Sequence, residues 1–320
     1  MTSKRVTATI SQVADILSSR QRIALFAHTN PDGDTVGACV ALCLALRKLG
    51  KSVFLFCDSE IDGTLAKFTQ GESFRRAFGG KYDLLVAVDC GDLKRVGEFG
   101  GLYNRFAETL TIDHHGGEYY SKYNCVLPYA STCQIIYEIL HELGVELDKP
   151  IATSLFVGLC TDTGNFMHNS TDSACYQMAA DLCRYGVENE RIARAFFKDV
   201  TLSKAKLIGR VLSRLRSYYD GQMVLLYVTK TDLEEFGLDF PATTGIVQYA
   251  INVDTAKIGV CMTEYAPNCY KVSVRGKDFS VREICQEFGG GGHIFASACM
   301  ISGLLEDVIE KIVRVAGYTI

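Results

Sequence analysis

Thr109-Leu-Thr-Ile-Asp113-His114-His115-Gly-Gly117 is a short β-like run that ends in a carboxylate and two imidazoles. The same construction appears twice more in the first half of the 320-residue chain. Ile23-Ala-Leu-Phe-Ala27 runs into His28-Thr-Asn-Pro-Asp32-Gly-Asp34, and Leu84-Leu-Val-Ala-Val88 runs into Asp89. A fourth run, Val53-Phe-Leu-Phe56, follows a helical segment closed by Leu49-Gly50. Short apolar runs alternating with helix-period segments specify an α/β fold with a parallel sheet and crossover helices. In such sheets ligands bind beyond the carboxyl ends of the strands, so these Asp and His side chains are expected to meet in one crevice.

Downstream, Ser131-Thr132 offers an N-cap to a helix carrying Ile135, Ile136, Ile139, Leu140 and Leu143, closed at Gly144. A second helical stretch, Ile151 to Cys160, runs into Thr161-Asp162-Thr163-Gly164-Asn165. From Val187 to Arg216 the chain is charged and helix-favouring, without catalytic punctuation, and reads as a connecting helical region. After Asp220-Gly221 the runs Met223–Val228, Lys257–Met262 and Tyr270–Val274 predict a second, smaller α/β domain. The expected organisation is a domain over 1–186, a helical linker over 187–220 and a domain over 221–320. Gly289-Gly-Gly-Gly292 is the one low-complexity stretch.

Composition sets the frame. Hydrophobic residues make up 48% of the chain, ample for a buried core. Thirty-three Lys and Arg against 37 Asp and Glu give a net charge of −4, which argues against a protein that coats long duplexes but leaves short nucleotides open. The 13 cysteines are scattered, without a C-x-x-C, so neither a disulfide framework nor a zinc knuckle is indicated and a reducing cytoplasm is expected. Met1-Thr-Ser-Lys-Arg5 leads into no signal-peptide apolar block, and the longest apolar run, Val36 to Leu46, is too short to span a bilayer.

Asp32, Asp34, Asp89 and Asp162, brought together, would form a charge density that repulsion forbids unless protons or cations neutralise it. Adding the imidazoles of His28 and His114 gives a donor set suited to a divalent ion of intermediate hardness, with manganese favoured over calcium and magnesium or zinc also open. Six ligands exceed what one open catalytic ion needs. Shared between two ions, they leave positions for water and substrate oxygens, the arrangement of two-metal phosphoester hydrolysis.

The motifs HTNPDGD, the Asp89 strand end, DHH and TDTGNF, in this order and followed by GGGGH, resemble those of the DHH phosphoesterase superfamily with a DHHA1 domain, over essentially the whole chain. Among its branches the compact two-domain layout is most similar to the NrnA-type nanoRNases and pAp phosphatases, with stand-alone cyclic dinucleotide phosphodiesterases as the alternative. The resemblance implies an active site in the interdomain cleft. It implies that His28 and Asp32 hold one ion, that Asp34, His114 and Asp162 hold the other, and that Asp89 bridges them. The ions, manganese or else magnesium, would supply an ionised water and stabilise charge on the phosphoryl oxygens. Asp113 is expected to orient His114 through a hydrogen bond, and His115 either to face the substrate or to sit behind the ligands. Gly290, Gly291, Gly292 and His293 would form a loop presenting bare backbone to phosphate, and Arg275 would hold phosphate bidentately. The implied substrates are RNAs of a few nucleotides and 3′-phosphoadenosine 5′-phosphate, with a homodimer allowed and no membrane partner. Asn165 departs from the pattern, standing where nanoRNase relatives often carry a basic residue.

Each motif also has a bland reading. Asn-Pro-Asp-Gly is a turn signal, a lone Asp after a strand caps a helix, a glycine run is a linker and a lone Arg is a solvated surface group. His141 and His168 have no partner in sequence, and the cysteines read as small buried hydrophobes. A nucleotide sensor that binds without turnover is the non-enzymatic alternative.

Overall fold

A computed structural model describes residues 5–61, 63–117 and 119–318. The chain divides into two compact units, one ending at Asp199 and the other beginning at Val200. The first four residues of the N-terminal segment quoted above lie outside the described residues. No helix among those described is long and apolar enough to cross a membrane.

The first unit is built on a seven-stranded sheet of β1 Val6–Thr7, β2 Arg22–Phe26, β3 Ser52–Phe56, β4 Phe74–Arg75, β5 Leu84–Val88, β6 Thr109–Asp113 and β7 Tyr123–Val126, in the order β1-β7-β6-β5-β2-β3-β4. Its pairings are parallel throughout. The chain leaves β2 toward β3 on one side and returns through β5 on the other, so the strand order reverses between β2 and β5. Phe26 lies opposite Ala87, and Val88 opposite Ile112, so His28, Asp89 and Asp113 emerge together at that switch point.

β2 alternates between two cores. Ile23 and Leu25 face the helices of one layer, whereas Ala24 and Phe26 face an aromatic cluster with Phe56, Tyr82, Phe99 and Tyr103. The helical layer contains α1 Ile10–Ser18, α2 Gly33–Lys48, α3 Thr132–Glu142, α4 Lys149–Asp162 and α5 Ser173–Cys183. Nearly every side chain of α2 up to Leu46 is buried, because it runs between the sheet, α3 and α4. The approach of α2 to α4 depends on two missing side chains. A Cβ at Gly37 would lie 2.3 Å from the Ser154 carbonyl oxygen, and one at Gly158 would lie 2.2 Å from Cys133 Sγ and 2.4 Å from Asp34 Oδ1. This contact brings Asp34 on α2 beside Asp162 on α4.

α4 is longer than the expected Ile151 to Cys160. Asp148 caps it by accepting the Ile151 N–H, a proline sits in its first turn, and Asp162 is its last residue rather than a loop residue. The stretch 187–220, expected as a connector, is divided between the units. Short helical turns up to Lys198 belong to the first, whereas α6 Leu202–Leu212 buries Leu207, Ile208 and Val211 in a core of the second.

The second unit carries a six-stranded sheet of β8 Arg216–Tyr218, β9 Met223–Val228, β10 Ile258–Ala266, β11 Cys269–Gly276, β12 Gly291–His293 and β13 Ala296–Ser302, in the order β12-β13-β11-β10-β9-β8. Only the β9–β10 pairing is parallel among the described residues. α6 and α7 Val247–Ile251 cover one face, and α8 Leu305–Gly317 covers the other.

Gly158→Ala is expected to lower the melting temperature and weaken divalent-metal binding, since overpacking of this kind costs about 1–3 kcal/mol and here displaces Asp34. Gly209→Ala on α6, whose Cβ would meet nothing within 4 Å, should leave both unchanged or raise stability by roughly 0.5–1 kcal/mol. Thermal unfolding of the two variants, with and without Mn2+, checks the contrast.

Candidate metal centre

Six side chains from five elements converge at the switch point. β2 delivers His28, β5 delivers Asp89, the end of β6 delivers His114, the start of α2 delivers Asp32 and Asp34, and the end of α4 delivers Asp162. Donor atoms of His28, Asp32 and Asp89 lie within 4.8 Å of one another, and so do those of Asp34, His114 and Asp162. Asp89 faces both groups. Its Oδ2 is 3.5 Å from His28 Nε2, and its Oδ1 is 3.6 Å from His114 Nε2.

The tautomers of both histidines are fixed from behind. His28 Nδ1 lies 2.8 Å from its neighbour's carbonyl, Thr29 O, and His114 Nδ1 lies 3.0 Å from Tyr129 O. Each Nδ1–H therefore donates to a carbonyl, and each Nε2 lone pair points at the carboxylates, the way a metal-ligating imidazole is normally held. Both Nε2 atoms are buried without a hydrogen-bond partner, although Asp162 Oδ2 comes within 3.1 Å of His114 Nε2. Orphaned imidazole nitrogens among carboxylates fit a divalent cation, whose preferred ligands these are.

Asp34 is fully buried, and its carboxylate is held by the amino end of α3. Oδ2 accepts the Thr132 N–H at 2.6 Å, and Oδ1 accepts the Cys133 N–H at 3.0 Å. The Thr132 hydroxyl also donates to Asp89 Oδ1 at 2.8 Å. A helix amino terminus thus supplies partial positive charge where carboxylates crowd. Asp32 does two jobs. Its Oδ1 caps α2 by accepting the Asp34 and Thr35 N–H groups, while its Oδ2 lies 3.4 Å from His28 Nε2. The Thr35 hydroxyl accepts the His28 N–H and donates to the Val88 carbonyl, tying the ligand strand to β5. Asp89 itself is held at φ +61° and Asn30 at +51°, left-handed backbone at the site's floor and entrance.

Electrostatics follow from the crowding. Burial pushes the Asp34 carboxyl well up, and Asp162, Asp89 and Asp32 push it further. Burial also raises Asp162, partly opposed by His114. Burial alone would lower the His28 pKa, but Asp32 and Asp89 outweigh it and hold it at about 9. Asp162 and Asp89 do the same for His114, against burial, again to about 9.

Asp113 does not reach His114 as expected. Its Oδ1 accepts both the His115 backbone N–H and the His115 Nδ1–H at 2.9 Å, the local geometry of an Asx turn, and the carbonyl of Tyr129 orients His114 instead. The His115 side chain is 42% exposed, with its ring centroid 4.1 Å from that of His114. His168, without a partner in sequence, places Nδ1 2.9 Å from the Asp162 carbonyl and braces the turn after α4. Asn165 sits at φ +57° and accepts the Cys160 thiol, which occupies it structurally.

In the second unit, Gly291–His293 is a strand and not an open loop. A Cβ at Gly290 would lie 2.3 Å from the Ala298 carbonyl and one at Gly292 would lie 2.5 Å from that of Ala296, so the glycines let β12 lie against β13. Register puts Arg275, Ala296 and His293 on one rung across three adjacent strands. Arg275 is half-buried, its Nη1 donating to the Val274 carbonyl, beside a cavity of about 120 Å³ also lined by Lys271, Ser273 and Thr263. Thr132, Thr35 and Tyr129 were not singled out from sequence as site residues. The Ser131-Thr132 cap signal marked the helix start, but nothing in the sequence said which carboxylate it would receive.

The model of the DHH family's N-terminal domain matches residues 22–159, which include every donor residue of the cluster except Asp162. A protein from Thermus thermophilus named bifunctional oligoribonuclease and PAP phosphatase NrnA is 30% identical over 96% of this chain and 95% of its own length. The chain belongs to the DHH family. Its Asp113-His114-His115 lies at the end of β6, inside the matched span. An exopolyphosphatase-related protein from Bacteroides fragilis shares the fold at a TM-score of 0.87 and 22% identity, covering 97% of this chain and 95% of that one. RecJ from Thermus thermophilus, solved in complex with Mn2+, superposes at 0.54 with 14% identity over 97% of this chain and 55% of that one.

Metal loading at pH 7 is expected to release protons. Both ligand imidazoles, with pKa values of about 9, are charged at that pH and must be neutral to ligate. Affinity should therefore climb as pH rises toward about 9 and fall below it. Calorimetric Mn2+ titrations in buffers of different ionisation enthalpy measure the protons released; a heat independent of buffer would contradict this.

Proposed function

We propose that this DHH-family chain is a two-metal phosphoesterase that hydrolyses short oligoribonucleotides to mononucleotides and 3′-phosphoadenosine 5′-phosphate to AMP. Manganese is favoured over magnesium. The observation that carries the reading is the pair of donor groups, His28/Asp32 and Asp34/His114/Asp162, with one oxygen of Asp89 turned to each. The substrate class rests on the name of the Thermus thermophilus relative, which aligns end to end with this chain.

In this mechanism the bound ions would supply an ionised water at neutral pH and stabilise charge on the phosphoryl oxygens. The chain's own residues do the rest. Thr29, Tyr129, Thr132 and Cys133 fix the ligand side chains before substrate arrives, so little reorganisation is needed at the moment of reaction. Asp113 accepts the Nδ1–H of His115, which directs the other ring nitrogen of that half-exposed imidazole outward. From that nitrogen His115 would serve the leaving oxygen as a proton donor, with Asp113 holding the ring in place. Arg275 and His293, one rung of the second sheet, would grip substrate phosphate, with Gly290, Gly291 and Gly292 beside them. All 13 cysteines are free thiols, 11 of them buried, which suits a reducing cytoplasm.

Purified protein loaded with Mn2+ should convert a linear diribonucleotide to mononucleotides and 3′-phosphoadenosine 5′-phosphate to AMP, and Asp89→Ala should abolish both. Turnover of only a cyclic dinucleotide would retain the mechanism and overturn the substrate assignment. Metal binding with no turnover of any phosphoester would leave a sensor.

A further inference from the structure

The crevice has a second wall that the metal ligands do not use. It is formed by the segments following β2, β3, β4 and β5, and Asp58 knits them together. Asp58 Oδ2 accepts the Glu98 N–H at 3.1 Å, its Oδ1 accepts the Ser59 hydroxyl at 2.9 Å, and its carbonyl accepts Arg76 Nε at 3.2 Å. Ser59 Oγ in turn accepts the Asn30 N–H at 3.1 Å, two residues from His28. The Thr29 N–H donates to the Arg95 carbonyl at 2.8 Å, and Asp92 caps the turn by accepting the Arg95 N–H. The backbone at Arg95 is thus pinned to the residue that follows a metal ligand.

The Arg95 side chain is treated differently from its backbone. It is part-buried, yet its guanidinium makes no hydrogen bond and no ion pair among the described residues. Arg20, Arg47, Arg210, Arg214 and Arg216, by contrast, each lie against a carboxylate. Arg76 commits only Nε to the Asp58 carbonyl, so its two terminal nitrogens are also uncommitted among the described residues. Through the bond from the Thr29 N–H to its carbonyl, the segment carrying Arg95 lies against the loop that carries His28 and Asp32. The Asp32 side chain is 50% exposed, so this is the open edge of the crevice. A guanidinium held there without a protein partner has five donors in a planar fork, a match for a phosphate group.

We infer that Arg95 forms a second phosphate subsite on the wall of the metal crevice, which grips a phosphate of the nucleotide that is not cleaved. The inference rests on the nucleotide reading above and narrows it to substrates with two phosphates within one nucleotide's reach. In 3′-phosphoadenosine 5′-phosphate the 3′-phosphate is hydrolysed and the 5′-phosphate is the group held.

The test compares 3′-phosphoadenosine 5′-phosphate with adenosine 3′-monophosphate, which differs only in lacking the 5′-phosphate. Wild type, Arg95→Ala, Arg95→Gln and Arg95→Lys, all Mn2+-loaded and matched by thermal unfolding, are assayed for kcat and KM on both, and for Kd by calorimetry. Wild type should prefer the bisphosphate. Arg95→Ala and Arg95→Gln should raise KM for it roughly tenfold or more, as expected for loss of a charged hydrogen bond, with a much smaller change in kcat and on the monophosphate. Arg95→Lys should retain part of the preference, and added salt should erode it. Equal losses on both nucleotides, or none on either, would overturn the subsite. If the bisphosphate binds but is not hydrolysed, the proposed activity fails while the Kd ratio still decides the subsite. An unchanged ratio in Arg95→Ala, or no binding of either nucleotide to wild type, overturns it.

Discussion

Four carboxylates crowd around two imidazoles at the carboxyl end of a parallel sheet, and their mutual repulsion is the constraint on which the rest of the structure turns. Two like charges 4 Å apart repel by about 4 kcal/mol at the effective dielectric of a protein edge. Asp34, Asp89 and His28 are moreover almost wholly out of water. A fold that holds such a group together must supply positive charge from elsewhere. It does so with the amino end of α3 on Asp34 and the imidazoles of His28 and His114 among the carboxylates. The remaining deficit is what a divalent cation would fill, and the orphaned Nε2 atoms lie where it would be bound.

Much of the architecture serves that arrangement. The register of β2, β5 and β6 brings three strand ends level, while Gly37 and Gly158 let α2 and α4 close on each other so that Asp34 and Asp162 face one pocket. Hydrogen bonds from backbone and threonine hydroxyls fix the ligand carboxylates, and backbone carbonyls fix the ligand histidines. The hydrogen-bonded carboxylates on this side contrast with the wall around Asp58, where backbone is pinned but the Arg95 guanidinium has no hydrogen-bond or ion-pair partner among the described residues.

Much of this was legible in the sequence, and the reasons are local. β2 after Arg22 and the whole of β5 are continuous apolar runs because both faces of a parallel sheet are covered, β6 alternates Thr109 and Thr111 with Leu110 and Ile112, and each run gives way to a polar residue that leaves the sheet into the crevice. All six donor residues of the cluster could therefore be named from strand ends and the Thr-Asp-Thr-Gly turn. What could not be read depends on long-range packing. Asp113 bonds forward to His115 because an Asx turn forms at once within the chain, whereas the Tyr129 carbonyl that orients His114 comes from a segment 15 residues on. The reception of Asp34 by Thr132 and Cys133 joins residues about a hundred positions apart. The glycine run read as a loop because its composition is that of a linker, yet the close approach of β13 makes it a strand. The charged stretch after Val187 hid the apolar stripe of α6, which places that helix in a core of the second unit.

The central claim is that the cluster holds two cations that share Asp89. Anomalous diffraction at the manganese edge, from crystals grown with Mn2+, tests it most directly. The account predicts two peaks about 3.5–4 Å apart, one among His28, Asp32 and Asp89 and the other among Asp34, His114 and Asp162, with Asp89 between them. A single peak beside Asp113 and His115, the other donor group that includes Asp89, would contradict it.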